Sequence, residues 1–345
     1  MAVKSLAVKY RPQTFDDVVE QSSIKVILRQ QLDSNETKNA YLFCGGAGTG
    51  KTTCARIFAN EINHHVGNPI EMDAASNSSV EDVRDIIQQA KTKSLDSEYK
   101  VFIIDECHSI SNTGWQAFLK LIEEPPAKSI FIFCTTDPQK IPKTILSRVQ
   151  RYDFQRISQA GVENRLEEIL RAENVCTFDA EAISYIAKIA DGGMRDAITL
   201  MDKCLAYSST FTIENVVKAL GTVDYDTMFN LTDFILQNDT KSVIDIIEGV
   251  HRAGKDLKQF IKTYANFVLD LNKYGCTKSF DYIEIPSIYE DKIGEYNDHA
   301  YDDFKRLLAT LVKLSADIKW ETSPKAMIEA VLVLRCLEID GGGNL

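Results

Sequence analysis

The stretch GGAGTGKTT, residues 45 to 53, fits the spacing G-x-x-x-x-G-K-S/T of a phosphate-binding loop. Gly45, Gly48 and Gly50 let the backbone curl so that its N–H groups, backed by the start of a helix, point at phosphate oxygens. That helix opens with Lys51, Thr52 and Thr53. A lysine placed there reaches the β- and γ-phosphates of a nucleotide, and the Thr52 hydroxyl is a ligand for Mg²⁺. In VFIIDECHS, residues 101 to 109, an apolar run ends in Asp105 and Glu106. Asp105 can hold Mg²⁺ directly or through water, and Glu106 can take a proton from an attacking water, which is the chemistry of hydrolysis. CTTDPQK, residues 134 to 140, places Thr135 and Thr136 at the end of another apolar run, where a hydroxyl can touch a γ-phosphate or that water. One cation stands apart: Arg148, in KTILSRVQRYDF, has no acidic residue within four positions to pair with on a helix face.

These residues need a scaffold that brings strand ends together. AYLFCG (40 to 45), VFIID (101 to 105) and SIFIFCTT (129 to 136) are continuous apolar runs, as expected of parallel strands covered on both faces. Residues 143 to 154 read as a short helix turning into a strand. Between the strands, Val80, Val83, Ile86, Ile87 and Ala90 form one helical stripe, with Ser78 and Glu81 as a capping box. Trp115, Phe118, Leu119 and Ile122 form another, stopped by Pro125 and Pro126. The alternation predicts a doubly wound α/β domain up to about residue 156. Four short helices follow, broken at Gly192-Gly193 and Gly221. Longer helices run from Thr222 to about Ile339, with a loop expected around Gly275 to Pro286 and a frayed GGGNL end.

At 345 residues the chain is too long for one ordinary core. No stretch approaches the roughly 20 apolar residues of a membrane span, and MAVKSLAVKYRP lacks a signal-peptide core, so a cytoplasmic location and no membrane partner are expected. The eight cysteines form no C-x-x-C pair, which argues against zinc and, in a reducing compartment, against disulfides; Cys44, Cys107 and Cys134 are expected to be small buried apolar groups. Residues 1 to 160 carry 19 basic and 19 acidic residues of the chain's 39 and 50, so the whole net charge of -11 falls on the rest. Any nucleic-acid contact must therefore use a local surface.

The motifs LAVKYRPQTFDDVVEQ (6 to 21), NAYLFCGGAGTGKTT (39 to 53), DAASNSSVEDVRDI (73 to 86), FLKLIEEPP (118 to 126), TTDPQKIPKTILSRVQRYDF (135 to 154) and GGMRDAITLMDKCLAYS (192 to 208) resemble, in order and spacing, the gamma/tau subunits of the bacterial DNA polymerase III clamp loader, which are AAA+ ATPases. The resemblance covers about residues 5 to 222. It implies an AAA+ RecA-like parallel-sheet domain over 1–157, a small helical lid over 158–222 and an all-α collar for oligomerisation over 223–345. It also implies that Arg148 is an arginine finger completing the ATP site of a neighbouring subunit, that Arg195 touches nucleotide from the lid, that Thr136 is the sensor-1 residue, and that Tyr10, Arg11 and Pro12 lie near the adenine.

Two departures stand out. The cysteine-rich zinc module usual after the phosphate-loop helix is replaced by NEINHHVGNPIEMDAAS, so no zinc and a shortened loop are expected. Glu20 replaces a usual Gly and Val149 a usual Cys, neither expected to touch the chemistry. The length resembles the short gamma form, as in a compact replication system such as a phage's, acting in a bacterial or phage-infected cytoplasm. The implied function is ATP-dependent opening of a sliding clamp and its loading onto primer-template DNA, by an oligomer with other clamp-loader subunits in which five AAA+ positions are expected. Arg84, Gln88 and Lys91, on one polar helix face, are the candidates for DNA contact. The alternatives are another AAA+ DNA-remodelling ATPase, or a non-catalytic structural subunit of the same assembly.

Overall fold

The computed structural model describes residues 4–77, 80–92, 94, 96–221, 225–296 and 298–340. Ser78 of the expected capping box, the Thr222 boundary and the GGGNL end lie outside these residues. The chain divides into two compact units, Met1–Ala206 and Tyr207–Leu345.

The first unit is built on a parallel sheet of β1 (Ala40–Cys44), β2 (Ile70–Asp73), β3 (Lys100–Asp105), β4 (Ser129–Thr135) and β5 (Gln150–Asp153) in the order β2-β3-β4-β1-β5. Its helices are α1 (Leu6–Lys9), α2 (Ser22–Asp33), α3 (Lys51–Ile62), α4 (Val80–Lys91), α5 (Asn112–Glu123), α6 (Lys143–Leu146), α7 (Gln159–Ala172), α8 (Ala180–Ile189) and α9 (Met194–Tyr207). The continuous apolar strands bury both faces, as their composition requires. Leu42, Phe102, Phe131 and Phe133 turn toward Val83 and Ile86 of α4 and Trp115 and Phe118 of α5. Tyr41, Phe43, Ile103 and Ile132 turn to the other face, against Leu28 of α2 and Ile57 and Phe58 of α3. The fixed register brings the C-terminal ends of the strands to one edge, with Cys44 opposite both Thr135 and Asp153, and Asp73 opposite Asp105. Ligands of open parallel sheets bind along such an edge.

Cys44, Cys107 and Cys134 are buried as expected. Burial pushes the Cys44 thiol up to about 11, and Cys107 and Cys134 well above the ordinary cysteine range, so all three stay neutral. The segment read as a shortened loop is short: α3 ends at Ile62 and β2 begins at Ile70.

The second unit is helical: α10 (Ile213–Leu220), α11 (Tyr225–Leu236), α12 (Thr240–Arg252), α13 (Leu257–Thr277), α14 (Glu290–Gly294), α15 (Asp298–Asp317) and α16 (Pro324–Asp340). Its core includes Phe229 and Phe267, whose rings meet edge to face at 4.8 Å. The loop expected from Gly275 starts later, because α13 runs through that glycine to Thr277. A Cβ there would come within 2.3 Å of the Tyr301 ring on α15, so glycine serves close helix packing at this position rather than a break.

Candidate nucleotide site

Between β1 and α3 the loop wraps around Lys51. Its side chain is buried, with the residue 6% exposed, and its ammonium donates to the carbonyls of Gly45 at 2.9 Å and Gly46 at 2.7 Å. Burial lowers its pKa, while the nearby carboxylates of Glu106 and Asp105 pull the other way. A polyanion brought to this ammonium would favour the charged form further. Gly50 has φ +100° and precedes the first turn of α3, a conformation that L side chains rarely adopt.

At the end of β3, the Thr52 hydroxyl donates to Asp105 Oδ2 at 2.8 Å. This pair is of the hard-oxygen type that Mg²⁺ takes, so the two residues fit a divalent cation. Glu106 has φ +46°, a left-handed backbone that starts a tight turn over Cys107–Ser109. Its carboxylate Oε2 accepts from the Thr136 hydroxyl at 3.1 Å and lies 3.3 Å from His108 Nδ1. The Thr135 hydroxyl, fully buried, is 3.2 Å from the same His108 nitrogen and accepts from the Asp137 amide at 3.0 Å. The strand ends thus gather the residues that sequence spacing singled out.

A cavity of about 310 Å³ adjoins this cluster, at the lower end of the range for small-molecule sites. Tyr10, Arg11, Pro12, Gly48, Gly50, Lys51, Thr52, Thr53, Asp105 and Arg195 all line it. Gly45, Glu106 and Thr136 do not line it; Gly45 is bonded to Lys51, the Glu106 amide donates to Asp105 Oδ1 at 3.0 Å, and Thr136 connects to the cavity through Glu106. The helices α7 to α9 reach the loop directly, because the amide of Met194 donates to the carbonyl of Gly48 at 3.1 Å. Gly48 has φ +69°, and a Cβ on it would sit 2.9 Å from the Cα of Gly193.

Arg148 lies elsewhere and corrects the expectation that it lacks a partner. Its guanidinium pairs with Glu123 at the end of α5 at 2.8 Å and donates to the Thr144 carbonyl at 2.8 Å. The rule for helix neighbours missed Glu123 because the tertiary fold, not helical spacing, brings it there.

Two family profiles match consecutive stretches: "DNA polymerase III, delta subunit" over residues 68–158 and "DNA polymerase III clamp loader subunit, ATPase lid domain" over 161–210. The DNA polymerase III subunit gamma of Buchnera aphidicola subsp. Schizaphis graminum is 31% identical, over 78% of this chain and 80% of that one. The chain belongs to the DNA polymerase III gamma/tau subunit family. The tau subunit of Bacillus subtilis is 31% identical over 97% of the chain, which spans 64% of that relative's length. The chain spans 43 to 45% of the length of two further tau relatives. Among solved structures, a Thermotoga maritima RuvB mutant superposes with a TM-score of 0.53 at 19% identity, covering 66% of this chain and 80% of that one. At that identity the likeness shows the fold, a parallel-sheet α/β domain followed by helices, and nothing more.

Within this gamma/tau chain, several site residues escaped sequence reasoning. Arg56 and Arg165 line the cavity, as does Asp17. Arg56 follows Thr52 by one helical turn, a spacing that was available in the sequence; Arg165 comes from α7 and had no local signal. The N-terminal arm is held by the lid: the Tyr10 hydroxyl donates to Glu173 at 2.5 Å, and the Leu6 amide donates to Asp202 at 3.0 Å. Glu20 has a structural role that its sequence did not show. With φ +57°, it accepts from the Ser158 hydroxyl at 2.5 Å and the Ser158 amide at 3.2 Å, at the N-cap of the lid helix α7. Beside it, Gln21 clips the linker, donating to the Gln155 carbonyl at 2.7 Å and accepting from its amide at 3.2 Å.

Proposed function

We propose that the chain binds ATP with Mg²⁺ and hydrolyses it as a clamp-loader subunit, opening a sliding clamp and loading it onto primer-template DNA. The observation that carries this reading is the meeting of Lys51, the Thr52–Asp105 pair and the Glu106–Thr136 pair at one sheet edge in a gamma/tau chain. Lys51 and the loop amides hold the phosphates. Thr52 and Asp105 hold Mg²⁺, which when bound neutralises charge on the phosphate oxygens. Glu106 takes the proton of the attacking water, and Thr136 orients its carboxylate. Tyr10, Arg11 and Pro12 form the wall for the base, and Arg195 reads the nucleotide from the lid.

In this reading Arg148 serves a neighbouring subunit. Its pair with Glu123 is half open to solvent, at 40% and 41% side-chain exposure, and an ion pair of that kind stabilises by about 0–1 kcal/mol. Giving it up for a phosphate on another chain therefore costs little. The second unit serves as a collar between subunits, in an assembly with five AAA+ positions. Arg84, Gln88 and Lys91 are exposed on α4, the arrangement that phosphate contacts to DNA require.

The test is steady-state ATP hydrolysis by the purified chain, alone and with partner subunits, primed DNA and clamp, for wild type and Arg148→Ala. Strong stimulation by DNA and clamp, reduced ~10³-fold or more in the variant with ATP binding retained, is expected. Hydrolysis indifferent to DNA, clamp and the substitution would overturn the reading.

A further inference from the structure

His108 has no part in the reading above, yet it sits against the carboxylate on which that reading depends. The tight turn after β3 places it there: the Ser109 amide donates to the Glu106 carbonyl at 2.9 Å, and buried Cys107 anchors the turn in the core. The imidazole side chain is itself only 19% exposed. Its Nδ1 lies 3.3 Å from Glu106 Oε2 and 3.2 Å from the Thr135 hydroxyl. The hydrogen bond at Nδ1 is the one with Thr135, and Glu106 Oε2 lies beside it as a charged neighbour; a carboxylate that close favours a hydrogen over a lone pair on Nδ1. The opposite tautomer would set a nitrogen lone pair against an anionic oxygen. Thr135 can adapt, because a hydroxyl both donates and accepts. Thr136 donates to the same Oε2 from the other side. Among the described residues no hydrogen bond falls on Glu106 Oε1, which leaves that oxygen for water.

We propose that His108 is a positioning residue for hydrolysis: with Nδ1 bonded to Thr135, the ring presents its N–H edge to Glu106 Oε2 at 3.3 Å, and this electrostatic contact aims the other carboxylate oxygen at the water. This rests on the assignment of Glu106 as the base. The imidazole touches neither substrate nor the reacting atoms, and its effect runs entirely through the carboxylate.

The experiment compares His108→Ala, His108→Asn and Glu106→Gln in the full chain assembled with partner subunits, primed DNA and clamp, by single-turnover hydrolysis of MgATP with enzyme in excess and by equilibrium binding of a fluorescent ATP analogue. An asparagine amide places an N–H where Nδ1–H stood. The expected result is a rate ~10-fold lower for His108→Ala, nucleotide affinity within about 2-fold, and recovery of most of the rate in His108→Asn. Glu106→Gln should lose ~10²-fold or more. If Glu106→Gln loses its rate while His108→Ala does not, or if Ala and Asn variants fall alike, the positioning role is wrong and the base assignment survives. If Glu106→Gln keeps its rate, the base assignment itself fails. Long-range ¹H–¹⁵N NMR of the imidazole provides a readout independent of turnover: a proton on Nδ1 is expected, and a neutral ring protonated on Nε2 alone would overturn the proposal.

Discussion

The two charged ends of the proposed reaction are built on opposite plans. Lys51 is buried and bonded to two loop carbonyls, Thr52 is tied to Asp105, and Glu106 shares its oxygen with Thr136 and His108. Arg148 stands in the turn just past the four-residue helix α6, exposed, held by one carboxylate, the Thr144 carbonyl and the Ser147 hydroxyl. Buried Lys51 would be costly to leave without partners, and the half-buried Thr52, Asp105 and Glu106 are each hydrogen-bonded within the site, so this set is held in place before any ligand arrives. An exposed ion pair holds its members only weakly. In the proposed reading, the residues that act within their own chain are fixed by strand ends, whereas the one proposed to reach another chain is left on a light tether.

That contrast breaks first at Lys51. Lys51→Ala removes two charge-assisted hydrogen bonds and the cation facing the phosphates, and should weaken binding of a fluorescent ATP analogue ~100-fold. Arg148→Ala should leave the same affinity within about 2-fold. Equal losses in the two variants would mean that Arg148 serves its own chain's site. A smaller effect is expected where the lid meets the loop. Gly48→Ala places a Cβ 2.9 Å from the Cα of Gly193 at φ +69°, so the loop must twist or the lid must shift away from the Met194–Gly48 hydrogen bond. The left-handed backbone alone costs about 1–2 kcal/mol, which predicts ~10-fold weaker nucleotide binding and a lower Tm. At Gly46 a Cβ would meet only the Thr49 methyl, at 3.7 Å, so Gly46→Ala should bind nucleotide within about 2-fold of wild type. If both variants bind as tightly as wild type, the lid contact does not govern the site.

How much of this was legible follows the range of the interactions involved. β1, β3 and β4 show in the sequence because each is a continuous apolar run, and the phosphate loop shows because its function is compressed into consecutive residues. β2 escaped notice: IEMD is four residues long, lies at the sheet edge and alternates exposed Glu71 and Asp73 with apolar neighbours. The partner of Arg148 was illegible because Glu123 is carried to it by the packing of α5 and α6 rather than by helical spacing. Glu20 was read as remote from the chemistry, yet the fold sets it on the cap of a helix far along the chain. Nothing in the sequence singles out His108; only the turn after β3, with its left-handed Glu106, brings the ring to the carboxylate.

The smallest expected effect probes the tether itself. Glu123→Gln keeps the shape of the side chain and removes its charge, so the folded chain should change in stability by less than about 1 kcal/mol, as for any exposed ion pair. The consequence for assembly has a definite sign. If Arg148 must leave Glu123 to serve a neighbour, the fraction of chains with a competent arginine rises when the tether weakens, and apparent affinity rises in proportion. At partner concentrations below saturation, hydrolysis by the assembly should rise by up to ~5-fold, the equivalent of about 1 kcal/mol, and the gain should vanish at saturation. The gain should also shrink in high salt, which already screens the exposed pair in wild type. A fall in the rate would show instead that Glu123 works in the assembled state, holding Arg148 in position, and the weak tether would then be part of the catalytic arrangement.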